Sequence, residues 1–195
     1  METIRLGKEY IEEAIKGLKC AEASIVKRFG DKKGRELLDK ISDRIEEVHV
    51  PKLNDSVMLV YSLRKEAPPN MAMYYEIKAQ DKEGKEIGVL KYKLYDSLCT
   101  IHLCYIGVTD KEYQGKGIGY LLLSKMEDIA KEIEIPAIEG HFQPLGDLAS
   151  FSRKFYERNG YEIEFDYVDR KPCLYKRIKE VEDYDEMERW LENNL

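Results

Sequence analysis

I-G-V-T-D-K-E-Y-Q-G-K-G-I-G-Y-L-L-L, residues 106–123, passes from a β-prone stretch through a turn holding Gly115, Gly117 and Gly119 into an apolar segment. Beyond the turn, Ile118, Leu121, Leu122, Met126, Ile129 and Ile133 recur at the three- and four-residue spacing of one helical face. The stretch therefore predicts a strand, a glycine loop and a helix. The glycines fall at the first helical turn, where backbone N–H groups lack an intrahelical acceptor. Without side chains there, a ligand can approach the main chain closely. Free N–H groups and the positive end of the helix dipole together suit a phosphate or pyrophosphate.

Three glycine loops compete for this stretch. A phosphate loop of the G-x-x-x-x-G-K-[ST] type fails, because Lys116 is not followed by Ser or Thr. The dinucleotide fingerprint fails as well, because Tyr120 stands where its third glycine is needed. Gln114, Gly117 and Gly119 do satisfy Q-x-x-G-x-G. That pattern resembles motif A of the GNAT superfamily, the acetyl-CoA-dependent N-acetyltransferases. Residues 150–161, S-F-S-R-K-F-Y-E-R-N-G-Y, resemble the later helix of the same family, with Tyr161 in place of the usual phenylalanine. The resemblance spans about residues 57–178.

At 195 residues, 43% hydrophobic and 36% charged, the chain fits one globular domain with appendages. No apolar run reaches the ~20 residues that cross a bilayer. The start, M-E-T-I-R-L-G-K-E, has no apolar leader region, so a cytoplasmic protein is expected. Cys20, Cys99, Cys104 and Cys173 show no metal or redox spacing, and His49, His102 and His141 are scattered, so no metal is expected. Of the net charge of −6, −5 falls on residues 179–195. No basic footprint for nucleic acid is visible.

In chain order, residues 1–50 read as a helical segment packed on the main domain. Tyr10, Ile11, Ala14, Ile15 and Leu18 make one stripe; Gly30 breaks it. Leu37, Leu38, Ile41 and Ile45 make a second stripe. Eleven basic and eleven acidic residues cancel there, which argues against a DNA-reading helix pair. Strands are expected at 57–64, 73–79, 87–95 and 98–109, on short connections that imply an antiparallel meander. A strand at 136–142 follows a helical crossover and so lies parallel to the fourth. A helix at 147–159, a hairpin from 161–168 to 173–178 and an acidic helix at 181–195 complete the chain. The expected divisions are 1–50, a GNAT-like domain at 51–178, and the acidic helix at 179–195. The fold class is α/β with α+β character: a mixed, mostly antiparallel sheet flanked by helices. The family usually places two helices between its first and second strands; here both precede the first clear strand.

The resemblance implies the chemistry. Main-chain N–H groups of Gln114, Gly115, Lys116, Gly117, Ile118, Gly119 and Tyr120 would hold the pyrophosphate of acetyl-CoA, with charge added by Lys111 and Lys116. Gly107, Val108 and Thr109 would offer strand-edge groups to the pantetheine arm and the thioester carbonyl, where the fourth and fifth strands splay. Tyr156 would protonate the leaving thiolate. Family members often carry an asparagine two turns earlier, and here Ala149 stands there, with Ser150 and Ser152 as polar neighbours. An attacking ammonium must first lose a proton. Glu139, with His141 on the same strand face, is the expected base; His141 and Glu76 are fallbacks. The function so implied is acetyl transfer from acetyl-CoA to a primary amine, small molecule or peptide, by direct attack. A CoA-binding module without turnover and a scaffold for protein interaction stay open, as does a homodimer.

Overall fold

The computed structural model describes residues 21–65, 73–95, 98–142, 149–166 and 171–178. Two helices come first, α1 (21–29) and α2 (Asp31–Ser42). Strands β1 (Asp43–Val50), β2 (Asp55–Lys65), β3 (Met73–Gln80), β4 (Glu86–Leu94) and β5 (Thr100–Gly107) follow. Then come α3 (Ile118–Glu132), β6 (Ala137–His141), α4 (Ala149–Arg158), β7 (Glu162–Asp166) and β8 (Lys171–Arg177). All eight strands join one sheet in the order β1-β2-β3-β4-β5-β6-β8-β7. Only β5 and β6 run parallel among the described strands, as a helical crossover demands. The α/β class with a mostly antiparallel sheet is therefore the observed fold.

One expectation fails at its end. The helical reading of residues 1–50 holds across the described residues 21–29 and 31–42, but Asp43–Val50 is a strand paired along its whole length with β2. Ile45, assigned by spacing to the inner helical face, is 67% exposed. D-R-I-E-E-V-H-V does alternate, but it puts Arg44 and Glu46 toward the helices, opposite Tyr61 and Leu59. Two inward charges conceal the period of two. They are accommodated by pairing: the Glu46 carboxylate meets Lys125 Nζ at 2.7 Å and accepts from the Tyr61 hydroxyl at 3.0 Å. The helices expected at 10–18 and 181–195 lie outside the described residues.

The core explains why the helices share a face. Tyr75, Ile77 and Ala79 of β3 and Leu90 and Tyr92 of β4 are all fully buried, with Tyr75 and Tyr92 stacked as cross-strand partners 5.4 Å apart. On the same face of β4, opposite Ala79, lies Gly88, where a Cβ would stand 2.9 Å from Ile118, so α3 is pressed onto β4. Leu122, Leu123 and Met126 of α3 join Ile25 of α1 and Leu37 and Ile41 of α2 in the same cluster. The Arg28 guanidinium donates to the carbonyls of Ile133 and Glu134, at 3.2 and 3.3 Å, where it complements the negative end of α3. The early helices thus pack against the C-terminal end of α3, leaving its glycine end clear. Among the described residues no helix is long and apolar enough to cross a membrane.

Candidate active site

Two local features open the sheet. Lys91 pairs with Tyr105 while its neighbour Tyr92 pairs with Leu103, so Cys104 is an extra residue in β5, a β-bulge that turns the strand. On its other edge, β5 pairs with β6 only from Thr100–Ala137 to Leu103–Gly140. At that last pair the backbones are close, for a Cβ on Gly140 would lie 2.7 Å from the Leu103 carbonyl oxygen. Beyond it, residues 105–107 pair with β4 alone among the described residues. The pairing of the two parallel strands thus ends while β5 runs on, which is what the expected splay requires.

The glycine loop starts where β5 ends. Thr109 is tied back to β4, its N–H donating to Ile87 O at 3.0 Å and its hydroxyl to Glu86 O at 3.1 Å. Asp110 then caps a short 3-10 turn, Lys111–Tyr113, by accepting from Glu112 N–H at 2.9 Å, and Lys85 pairs with its carboxylate at 2.6 Å. Gly115 and Gly117 adopt φ of +74° and +95°, a left-handed backbone open to glycine and strained for other residues. These conformations turn the chain into α3 without any side-chain cap.

Of the seven N–H groups expected to face an anion, two are engaged within the loop. Gln114 N–H donates to Lys111 O and Lys116 N–H to Tyr113 O, at 3.2 and 3.3 Å. The N–H groups of Gly115, Gly117, Ile118, Gly119 and Tyr120 have no acceptor among the described residues. Thr109 N–H is likewise committed to β4, while that of Val108 has no acceptor there, and the Gln114 side chain donates to Val108 O at 3.5 Å. Five donors at the head of a 15-residue helix, with a sixth on Val108, make an arrangement suited by its dipole and bare N–H groups to a phosphate or an oxyanion. Sequence reasoning missed one cation beside it. The Lys52 stem, on the β1–β2 turn, lies 3.8 Å from the place of a Gly117 Cβ. Only the pairing of β1 with β2 brings it there.

Next to this helix end stands α4. Phe155 sits 3.4 Å from the place of a Gly119 Cβ, so α4 closes on the first turn of α3. Tyr156 points into a cage of rings: Phe155 at 5.2 Å, Tyr161 at 5.8 Å and Phe142, just past β6, at 6.0 Å between centroids. Burial in this cage pushes its phenol up to about 12, so it holds its proton at neutral pH.

Glu139 and His141 do share a face of β6, and a third group joins them that sequence reading left among scattered histidines. His102 is the register partner of Glu139, with Nδ1 3.7 Å from the carboxylate Oε1. The neighbouring His102 holds the Glu139 carboxyl below its usual range, against the opposing pull of burial. His141 lies edge-on to His102 at 5.4 Å, with Nδ1 3.8 Å from Cys173 Sγ. Glu76, the other fallback base, is 4% exposed and pairs with Lys78 at 3.6 Å, in a cross-sheet network that also holds Glu86. Among the described residues no group of three or more His, Cys, Asp or Glu side chains is placed to hold a metal.

Against known proteins, residues 72–163 match the family model of the acetyltransferase (GNAT) domain. No curated protein matches the sequence. Among solved structures, a GNAT-family acetyltransferase from Staphylococcus aureus Mu50 is similar at 22% identity and a TM-score of 0.47, covering 54% of this chain and 68% of that one. The PaiA N-acetyltransferase of Thermoplasma acidophilum, in complex with coenzyme A, aligns at 22% identity and 0.44, over 52% and 59% of the two chains. The ribosomal-protein-S18-alanine N-acetyltransferase of Escherichia coli aligns at 20% and 0.43, over 54% and 70%. The family model, rather than these distant structures, carries the assignment. It spans β3 to the start of β7, and so takes in the parallel strands, the glycine loop, α3 and α4. Residues 72–163, just under half of the chain, thus match an acetyltransferase (GNAT) domain.

Proposed function

We propose that this protein transfers an acetyl group from acetyl-CoA to a primary amine by direct attack. The observation that carries the reading is the row of N–H groups without acceptors at the head of α3, set where the pairing of β5 with β6 ends and where Phe155 of α4, the neighbour of Tyr156, meets Gly119. Bound acetyl-CoA supplies an activated thioester, whose C–S bond breaks as the new C–N bond forms. The chain's part is binding and proton management. Gly115, Gly117, Ile118, Gly119 and Tyr120 N–H groups hold the pyrophosphate, with Lys52 and Lys116 adding positive charge. Val108 N–H, just past the end of β5, stabilises negative charge on the thioester carbonyl oxygen. Tyr156 passes its proton to the departing sulfur. That role gains little from a large shift, because a thiolate near ~8.5 is already a fair leaving group.

The acceptor side lies on the sheet face away from α3, where Glu139, His102 and His141 stand. Titration of the protein with CoA in a calorimeter, then a panel of amines with acetyl-CoA and detection of free thiol, tests the reading. Binding with turnover of at least one amine is expected. Binding without turnover would leave a CoA-binding module, and no binding of any CoA species would discard the reading altogether.

A further inference from the structure

The side chains standing just before β5 and β6 part, on the face away from α3, are His102 and Glu139. Their place follows from alternation: Ile101, Leu103 and Ile138 are buried in the core, so the residues between them face the other way. We propose that His102 accepts the proton released by the attacking nucleophile, while Glu139 orients its ring and balances the charge that ring acquires. The proposal rests on the acetyl-transfer reading of this site and moves the base from Glu139, where the sequence placed it, to its partner.

Three observations support the exchange of roles. With Nδ1 turned toward the carboxylate, Nε2 is the nitrogen left to take a proton. A carboxylate held low by that same histidine is a weak base and a good counter-ion. The surroundings also leave the ring one carboxylate partner among the described residues. Lys93 is His102's cross-strand partner on β4, Tyr95 lies edge-on at 6.3 Å, and His141 faces it from β6. Cys104 follows on β5, its thiol directed at His102 O at 3.6 Å, and Tyr175 and Cys173 of β8 are the partners of Glu139 and His141. Glu139 is thus the anion facing the ring from these strands. The protons balance. One passes from nucleophile to His102 Nε2 and on to solvent, and the one that Tyr156 gives to sulfur is recovered from solvent.

The test uses the full chain and needs no known acceptor. In slow hydrolysis of acetyl-CoA, water is the nucleophile and the same base must take its proton. His102→Gln should lower hydrolysis at saturating acetyl-CoA by ~100-fold, with acetyl-CoA affinity within about twofold of wild type by calorimetry. Glu139→Gln should lower it by less. Free imidazole should restore hydrolysis to His102→Gly, a rescue that a purely structural histidine would not show. Independently of activity, carbon NMR should find the Glu139 carboxyl titrating closer to its ordinary range in His102→Gln. Wild-type hydrolysis in His102→Gln with affinity intact, or a larger loss in Glu139→Gln than in His102→Gln, would overturn the proposal. Absence of acetyl-CoA binding by the wild-type chain would instead overturn the reaction reading on which it rests.

Discussion

Tyr156 sits where three aromatic rings close on it, with its phenol raised by desolvation alone. Such a group keeps its proton until a stronger base reaches it, which is what a donor to a nascent thiolate requires. Tyr156→Phe keeps the cage and deletes the hydroxyl. If the hydroxyl is the acid, turnover at saturating acetyl-CoA should fall by ~100-fold while CoA affinity by calorimetry stays the same. Undiminished turnover would end that assignment, and weakened affinity with turnover preserved would make the hydroxyl a cofactor contact. Tyr156 was legible in the sequence because its motif is local, fixed by spacing within one helix. His102 was not. Its meaning comes from pairing with Glu139, 37 positions away, and parallel register between strands joined by a helix leaves no mark on either segment. Lys52 was hidden for the same reason, since only the β1–β2 pairing carries it to the loop.

At the scale of single elements, the glycine loop and β1 make opposite cases. The loop is specified by its own residues: positive φ at Gly115 and Gly117 turns the chain, and α3 follows with its first N–H groups bare. Gly117→Asp sets a carboxylate beside those N–H groups and strains a backbone at φ +95°. CoA affinity should fall by at least ~10-fold, which needs only ~1.4 kcal/mol. A folded variant, checked by circular dichroism, with wild-type affinity in calorimetry would remove the anion site from this loop. Strand β1 is specified by its partners instead. Arg44 and Glu46 point inward, a pattern that reads as a solvated helix until Tyr61 and Lys125 are placed opposite. Burial raises the Glu46 carboxyl, but hydrogen bonds from Lys125 and Tyr61 and the charge of Arg44 outweigh it, so its folded titration lies below the usual range. A group depressed on folding contributes stability above its unfolded value and loses it as pH falls through the folded one. Glu46→Gln should therefore destabilise the protein at neutral pH, by on the order of 1 kcal/mol for a half-buried pair. Urea melts should show the gap from wild type closing as the pH drops below the carboxylate range. A gap that stays constant with pH would mean that packing, not charge, holds this strand.

For the molecule as a whole, the question is whether the segment before the matched domain is an appendage. The family model starts at residue 72, yet β1 and β2 extend the same sheet, and Ile25, Leu37 and Ile41 lie in the same core as Leu122 and Met126 of α3. Arg28 and Lys40 also reach the C-terminal end of α3, Lys40 through Glu132 at 3.4 Å. A shared core means that loosening one part loosens the other, so we propose that residues 21–65 unfold together with the acetyltransferase domain. Ile41, 1% exposed, is the probe, because its side chain joins α2 to the common core and is far from the glycine loop in function. Ile41→Ala should reduce stability by roughly 2–5 kcal/mol through the cavity it leaves. The loss should appear as one transition at lower temperature, coincident by near-ultraviolet dichroism and by calorimetry. Saturating CoA binds only the folded state, so it should raise that same transition in wild type and variant alike. A second transition, in which the early segment melts first while CoA still protects the remainder at the wild-type temperature, would show two independent units. The early helices would then be an attachment to the catalytic domain rather than part of its core.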